Sequence, residues 1–234
     1  MVGRSTGAAP VRRHLAVVGD RDDRYETHRG IDRTLASLPD RLAGTWHATE
    51  ELELDDVAAA AGVWIAPGTP YRDRDAVLAV IRRAREHGQP LLASCGGFQH
   101  VVLEYARNVA GIEDAEHEET DPEAHDAVVT RLSCSLIGQV RSVTTAPGTR
   151  AAELCGLEPF DGFHYCNYGL DPRYEDALTR AGLVISGHAP DAGVEIVELP
   201  EHPFFFGTMF QPQMTPRRDG REHPLLELFL AACL

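Results

Sequence analysis

No run of apolar residues in this 234-residue chain approaches the length needed to cross a bilayer. The opening residues lack the apolar core of a secretory signal, so residues 1–13 read as a flexible N-terminal arm. Positive charge is scarce: 22 Lys and Arg face 36 Asp and Glu, for a net charge of −14. Binding to a phosphate backbone needs a basic face, which excludes nucleic acid as the main ligand. Cysteine is sparse too. The five (Cys95, Cys134, Cys155, Cys166 and Cys233) are odd in number and form no CxxC pair. That pattern predicts reduced thiols in a cytoplasmic protein. No two Cys or His residues repeat at ligand spacing around a turn, so no zinc site and no cofactor are expected. Internal repeats and low-complexity linkers are missing as well, and residues 14–234 read as a single domain.

What is present is ordinary soluble composition, 43% hydrophobic and 25% charged. The first half alternates strand and helix. His14 to Gly19 is a short apolar strand, and Arg24 to Leu38 follows with helical spacing of Ile31, Leu35 and Leu38. Thr45 to Ala48 reads as a second strand and Leu54 to Ala61 as a short helix. Val63-Trp-Ile-Ala-Pro-Gly68 is a buried strand ending in a turn. Ala76 to Gly88 is an amphipathic helix with Gly88 at the C-cap. This rhythm predicts a parallel sheet with right-handed crossovers. After Gly111 the pattern changes. Asp114 to Asp126 reads as an acidic loop, Val128 to Val143 and Gly162 to Gly169 as strand pieces. Leu183 to Gly187 and Val194 to Leu199 form an antiparallel hairpin, Phe204 to Phe210 a last buried strand, and Pro224 to Cys233 a terminal helix.

The chemistry centres on Pro90-Leu-Leu-Ala-Ser-Cys95-Gly-Gly-Phe-Gln99, a buried strand that turns into a helix with Cys95 at the bend. Free N–H groups and the helix dipole at such a place favour a thiolate and could hold an oxyanion. Cys95 could instead be a small core residue.

Three further stretches give the chain a family likeness: Leu103-Glu-Tyr-Ala-Arg-Asn-Val-Ala-Gly111, Val194-Glu-Ile-Val-Glu-Leu-Pro-Glu-His-Pro203, and Arg218-Asp-Gly with His223-Pro224-Leu225. Over roughly residues 14 to 234 the chain resembles the class I glutamine amidotransferase domain of CTP synthase. It is also similar to the stand-alone actinobacterial proteins described as CTP-synthase C-terminal-region-related (seleno)proteins. The resemblance implies a flavodoxin-like three-layer α/β sandwich with an antiparallel hairpin extension. It implies Cys95 as nucleophile, an oxyanion hole at Gly68, Thr69 and Gly96, and a substrate pocket around Gly97, Phe98, Gln99 and Glu119. The family's substrate-carboxylate arginine falls at His164, between Gly162 and Asn167. The triad His and Glu fall at Gln211 and Gln213, whose amides take up no proton near neutral pH. Losing a triad base costs orders of magnitude in turnover, although cysteine suffers least.

His164 is therefore the expected replacement base, with a histidine bonded to a neighbouring backbone group as the plainer alternative. Tyr165 and Cys166 join the expected pocket, where Cys166 is a second reactive thiol or a quiet core residue. Gln211 and Gln213 are expected to read polar groups of the substrate. The leading expectation is a cysteine enzyme, hydrolase or transferase, acting on a small amide or related carbonyl compound. The alternatives are an inactive ligand-binding or regulatory protein, and a glutaminase subunit feeding ammonia to a separate synthase. A small-molecule substrate is the expected partner, with a homodimer or a synthase also open and no membrane.

Overall fold

The computed structural model describes residues 12–217 and 219–234. Of the arm expected at residues 1–13, Arg13 already opens the first strand, and residues 1–11 lie outside the described residues. The parallel half runs β1 (Arg13–Val18), α1 (Glu26–Ala36), β2 (Leu42–His47), α2 (Leu54–Ala58), β3 (Gly62–Ile65), α3 (Arg74–His87), β4 (Leu91–Ser94) and α4 (Gly96–Asn108). Then come β5 (Glu116–His117), β6 (Ala127–Arg131), β7 (Gln139–Thr145), α5 (Arg150–Cys155), β8 (Phe160–His164) and β9 (Tyr168–Leu170). The chain closes with α6 (Glu175–Arg180), β10 (Val184–Ala189), β11 (Gly193–Glu198), β12 (Phe205–Thr208) and α7 (Pro224–Ala232).

Nine strands form one sheet in the order β2-β1-β3-β4-β12-β11-β10-β7-β8. Pairing is parallel from β2 to β12 and antiparallel from β12 to β8. Both faces are buried, so the strands are apolar throughout, and alternate residues enter different cores. Ala16, Val18, Val63, Ile65, Leu91 and Ala93 pack on the face of α3 and α4. Leu15, Val17, Trp64, Leu92, Phe204 and Phe206 pack on the face of α1 and α7. The result is the expected three-layer sandwich. Its antiparallel part is larger than a hairpin, because β7 and β8 extend the sheet beyond β10. A small second sheet, β5-β6-β9, lies against α4. Part of the acidic loop expected at Asp114 to Asp126 is thus β5.

Local chemistry explains the ends of α3. The Asp73 side chain accepts from the Ala76 N–H at its start, and Gly88 closes it at φ 66°, a left-handed turn that suits glycine. The residues of the Leu103–Gly111 stretch act as staples for α4. Glu104, fully buried, receives Arg85 through two bonds of 2.7 and 3.0 Å. Tyr105 Oη donates to the Ala181 carbonyl, and Arg107 reaches the Ala115 carbonyl and Glu116. Glu104→Gln leaves Arg85 without its buried partner. It should cost about 3 kcal/mol, read as a lower midpoint in chemical denaturation. An unchanged midpoint would show that Arg85 escapes to solvent instead.

Candidate active site

The C-terminal ends of the parallel strands meet at a crevice, as ligand sites in such sheets do. There β4 runs into Cys95, which has φ 52° and ψ −107°. Among the described residues it alone, glycines aside, has a positive φ. Such backbone costs of order 1–3 kcal/mol and persists only where neighbours fix it. They do so here: the Cys95 N–H donates to the Thr208 carbonyl at 2.7 Å, and its own carbonyl receives the Gln99 N–H at 3.0 Å.

Two glycines let the helix approach. A Cβ on Gly96 would lie 2.6 Å from Thr69 Cγ2 and 3.3 Å from the Gly68 nitrogen. A Cβ on Gly97 would lie 2.5 Å from the Ile65 carbonyl oxygen. The first close approach brings the backbone after Cys95 against the Pro67-Gly68-Thr69 turn. As the first residue of α4, Gly96 has an N–H with no intrahelical acceptor. Buried His28 braces the turn. Its Nδ1 accepts the Asp22 N–H at 2.9 Å, so its Nε2 carries the hydrogen that meets the Pro67 carbonyl at 2.8 Å.

Beside Cys95 opens a cavity of about 170 Å³, whose walls include Gly68, Thr69, Gln99, Glu119, Tyr165 and Cys166. Tyr25, Thr27, Ile137, Asn167 and Tyr168 complete it, none of which the sequence reading had singled out. Glu119 Oε2 is buried with no partner among the described residues. A short relay sets that wall. The Glu119 N–H donates to His117 Nδ1 at 3.1 Å. His117 Nε2 therefore donates to Gln99 Oε1 at 3.1 Å, and Gln99 Nε2 donates to the Tyr168 carbonyl at 2.8 Å. His117 sits on β5, which the loop expectation concealed; its place two residues before Glu119 was the available signal.

Several expected site residues lie elsewhere. Gly97 and Phe98 belong to the core, Gly97 against β3 and Phe98 fully buried against Gly207, because they face the sheet. His164 is also fully buried and is not among the residues lining the cavity. Its Nδ1 meets the Gly162 carbonyl at 2.9 Å, and its Nε2 meets both oxygens of Glu195 at 2.9 Å. Both ring nitrogens are committed, which removes His164 as a base in this geometry. Burial pushes the Glu195 carboxyl up, against the pull of His164.

Gln211 and Gln213 sit behind the wall at Thr27 and do not line the cavity. Gln213 Nε2 donates to Gln211 Oε1 at 2.9 Å and to the Thr27 carbonyl at 3.3 Å. Among the described residues, Gln211 Nε2 and Gln213 Oε1 are buried without partners. Among the described residues, no three or more His, Cys, Asp or Glu side chains converge as a metal site would, and no helix is long and apolar enough to cross a membrane.

A cysteine on a strained strand-to-helix bend, faced by a glycine turn at the end of the next strand, defines a class of nucleophile-elbow α/β proteins. The chain belongs to the class I glutamine amidotransferase family, whose model matches residues 23–231. It is 36% identical to CTP synthase of Rubrobacter xylanophilus over 83% of this chain and 38% of that protein. It is 34% identical to CTP synthase of Carboxydothermus hydrogenoformans over 92% of this chain and 46% of that protein. The chain thus spans less than half the length of these relatives. In fold it matches the glutaminase domain of Trypanosoma brucei CTPS, solved with bound acivicin, with a TM-score of 0.83 and 24% identity over 94% of this chain and 93% of that one.

The buried histidines give the fold a pH signature. Burial lowers His28, His47, His100, His117, His202 and His223 from 6.5, His100 to about 4 and His117 and His223 to about 3. The unfolded chain takes up these protons near pH 6.5 while the folded chain refuses them. The stability they contribute is therefore complete above pH 6.5 and is lost as pH falls toward 4. Glu195 and Glu222, raised by burial, work in the opposite sense but are fewer. The unfolding free energy from urea titrations should fall between pH 7 and pH 5 by about 1.4 kcal/mol per pH unit for each net proton the unfolded chain takes up, with the urea midpoint falling in step. A flat profile over that range would contradict neutral buried histidines.

Proposed function

We propose that this protein is a cysteine-dependent enzyme acting slowly on a small primary amide of glutamine type. The observation that carries this reading is the strained backbone of Cys95, with Gly96 after it packed against Gly68 and Thr69, at the mouth of a cavity lined by Glu119. Cys95 Sγ attacks the amide carbonyl carbon. The N–H groups of Gly96 and the Gly68 turn hold the oxyanion, and Glu119 receives the substrate's ammonium group. The C–N bond breaks as the nitrogen gains a proton and leaves as ammonia, and water then cleaves the thioester.

Proton transfer limits the rate. Among the described residues no histidine lines the cavity, and a glutamine amide at 211 or 213 cannot carry a proton. The proton leaving Cys95 must pass through solvent, which supports covalent capture with slow turnover. The CTP synthase relatives favour a second use of the same chemistry, in which the ammonia passes to a synthase domain.

Incubation with glutamine and a panel of small amides and thioesters, with intact-mass detection of the acyl adduct, tests the assignment. Cys95→Ala should lose both adduct and turnover, and equal turnover by the two proteins overturns the proposal. The double change Gln211→His with Gln213→Glu should raise glutamine hydrolysis by about 10²-fold, the worth of a general base. Ligand binding without turnover, unchanged in Cys95→Ala, would identify a binding protein instead.

A further inference from the structure

The cavity holds a second thiol that the amide chemistry leaves unused. Cys166 lies in the short segment between β8 and β9, and both it and Cys95 line the cavity. Cys95 Sγ rests 3.6 Å from the Tyr165 carbonyl oxygen, on the residue next to Cys166. Cys166 is pinned in turn: its carbonyl receives the Leu136 N–H at 3.0 Å, and its Sγ lies 3.6 Å from Met209 Sδ. Met209 directly follows Thr208, whose carbonyl anchors the Cys95 N–H. The two sulfurs are therefore held by adjoining pieces of backbone on one wall. The influence of Cys95 together with burial raises the Cys166 thiol, which holds it in the protonated form.

The other cysteines are placed differently. Burial drives Cys155 and Cys233 up to about 12, and neither lines this cavity, while Cys134 is exposed. Cys95 and Cys166, at 5% and 7% exposure, both line this cavity, whose volume of about 170 Å³ suits a small oxidant.

We propose that Cys95 and Cys166 form a redox-active dithiol in which Cys95 reduces a small hydroperoxide and Cys166 resolves the product as an intrachain disulfide. In the first step Cys95 sulfur attacks the peroxide. An S–O bond forms, the O–O bond breaks, and the departing hydroxide or alkoxide takes the thiol proton, leaving a sulfenic acid. In the second step Cys166 sulfur attacks Cys95 sulfur. The S–S bond forms, the S–O bond breaks, and the Cys166 proton leaves with the hydroxyl as water. Sulfur loses two electrons in all and the peroxide gains them. A dithiol reductant restores both thiols by exchange. While oxidised, the pair also withdraws the Cys95 nucleophile from any amide.

Hydrogen peroxide at near-stoichiometric dose, followed by alkylation, digestion and mass spectrometry, tests this with no amide present. Its failure is therefore distinct from failure of the amide reaction. Wild type should yield a linked Cys95–Cys166 peptide and lose two alkylatable thiols, both reversed by dithiothreitol, and Cys134→Ser should behave identically. Cys166→Ser should stop at the sulfenic acid, raising its capture by a 1,3-diketone probe about tenfold and passing on to the sulfinic acid with more peroxide. Equal sulfenic and sulfinic yields in wild type and Cys166→Ser overturn the proposal. So does a disulfide formed only between chains through Cys134.

Discussion

The contact between the start of α4 and the ends of β3 and β4 governs this molecule. Backbone meets backbone there with no room for a side chain: glycine at 97 lets the helix settle on the Ile65 carbonyl, and glycine at 96 brings the Gly68 turn alongside. The same approach forces Cys95 into positive φ, because its N–H must end the β4 ladder at Thr208 while its carbonyl starts the helix at Gln99. The thiol's exposure to the cavity is thus a consequence of sheet and helix packing. Strain of this size survives because the bonds and close contacts on each side leave the bend nowhere to relax.

Polar groups around this contact are spent on holding it. His28 braces the Pro67 carbonyl, His117 fixes Gln99, and His100 Nδ1 meets the Gly96 carbonyl at 2.8 Å. Each is a neutral imidazole serving as a small, rigid hydrogen-bonding spacer in a dry place, which is why burial lowers all three. Glu119 is the exception, a carboxylate on the cavity wall whose buried Oε2 has no partner among the described residues. The site therefore separates frame from function: histidines hold the walls, and thiols and one carboxylate face the space.

Much of this frame was legible in the sequence. The apolar strands, the Asp73 and Gly88 caps of α3, the hairpin of β10 and β11, and the Cys95 bend all follow from local pattern, because each is decided within a few neighbouring residues. The helices α5 and α6, at six residues each, are too short to show periodicity and went unread. Side-chain partners across the sheet were equally hidden. Alternation along β8 cannot show that His164 will find Glu195, 31 residues away, in preference to the cavity. Phe98 and Gly97 carry the family pattern, yet their orientation is set by the sheet beneath them. Cys166 lies on the cavity wall together with Cys95, its thiol against Met209 Sδ.

A proton argument joins the two chemistries of the pocket. Attack on an amide needs a proton removed from sulfur and another delivered to a poor leaving group, and a histidine normally carries both. The glutamine pair at 211 and 213, behind the wall and bonded to each other at 2.9 Å, has no capacity to accept the proton. Peroxide chemistry makes a smaller demand. The oxygen that leaves is itself basic and takes the thiol proton, and the second step releases water using the proton already on Cys166. Under the proposed reading, a strained thiol sharing a cavity wall with a second thiol, with no histidine among the described residues lining it, is suited to oxidation and would cleave amides only slowly. On that proposal, glutamines at 211 and 213 leave the Cys95 bend intact and shift the balance of what the bend would do.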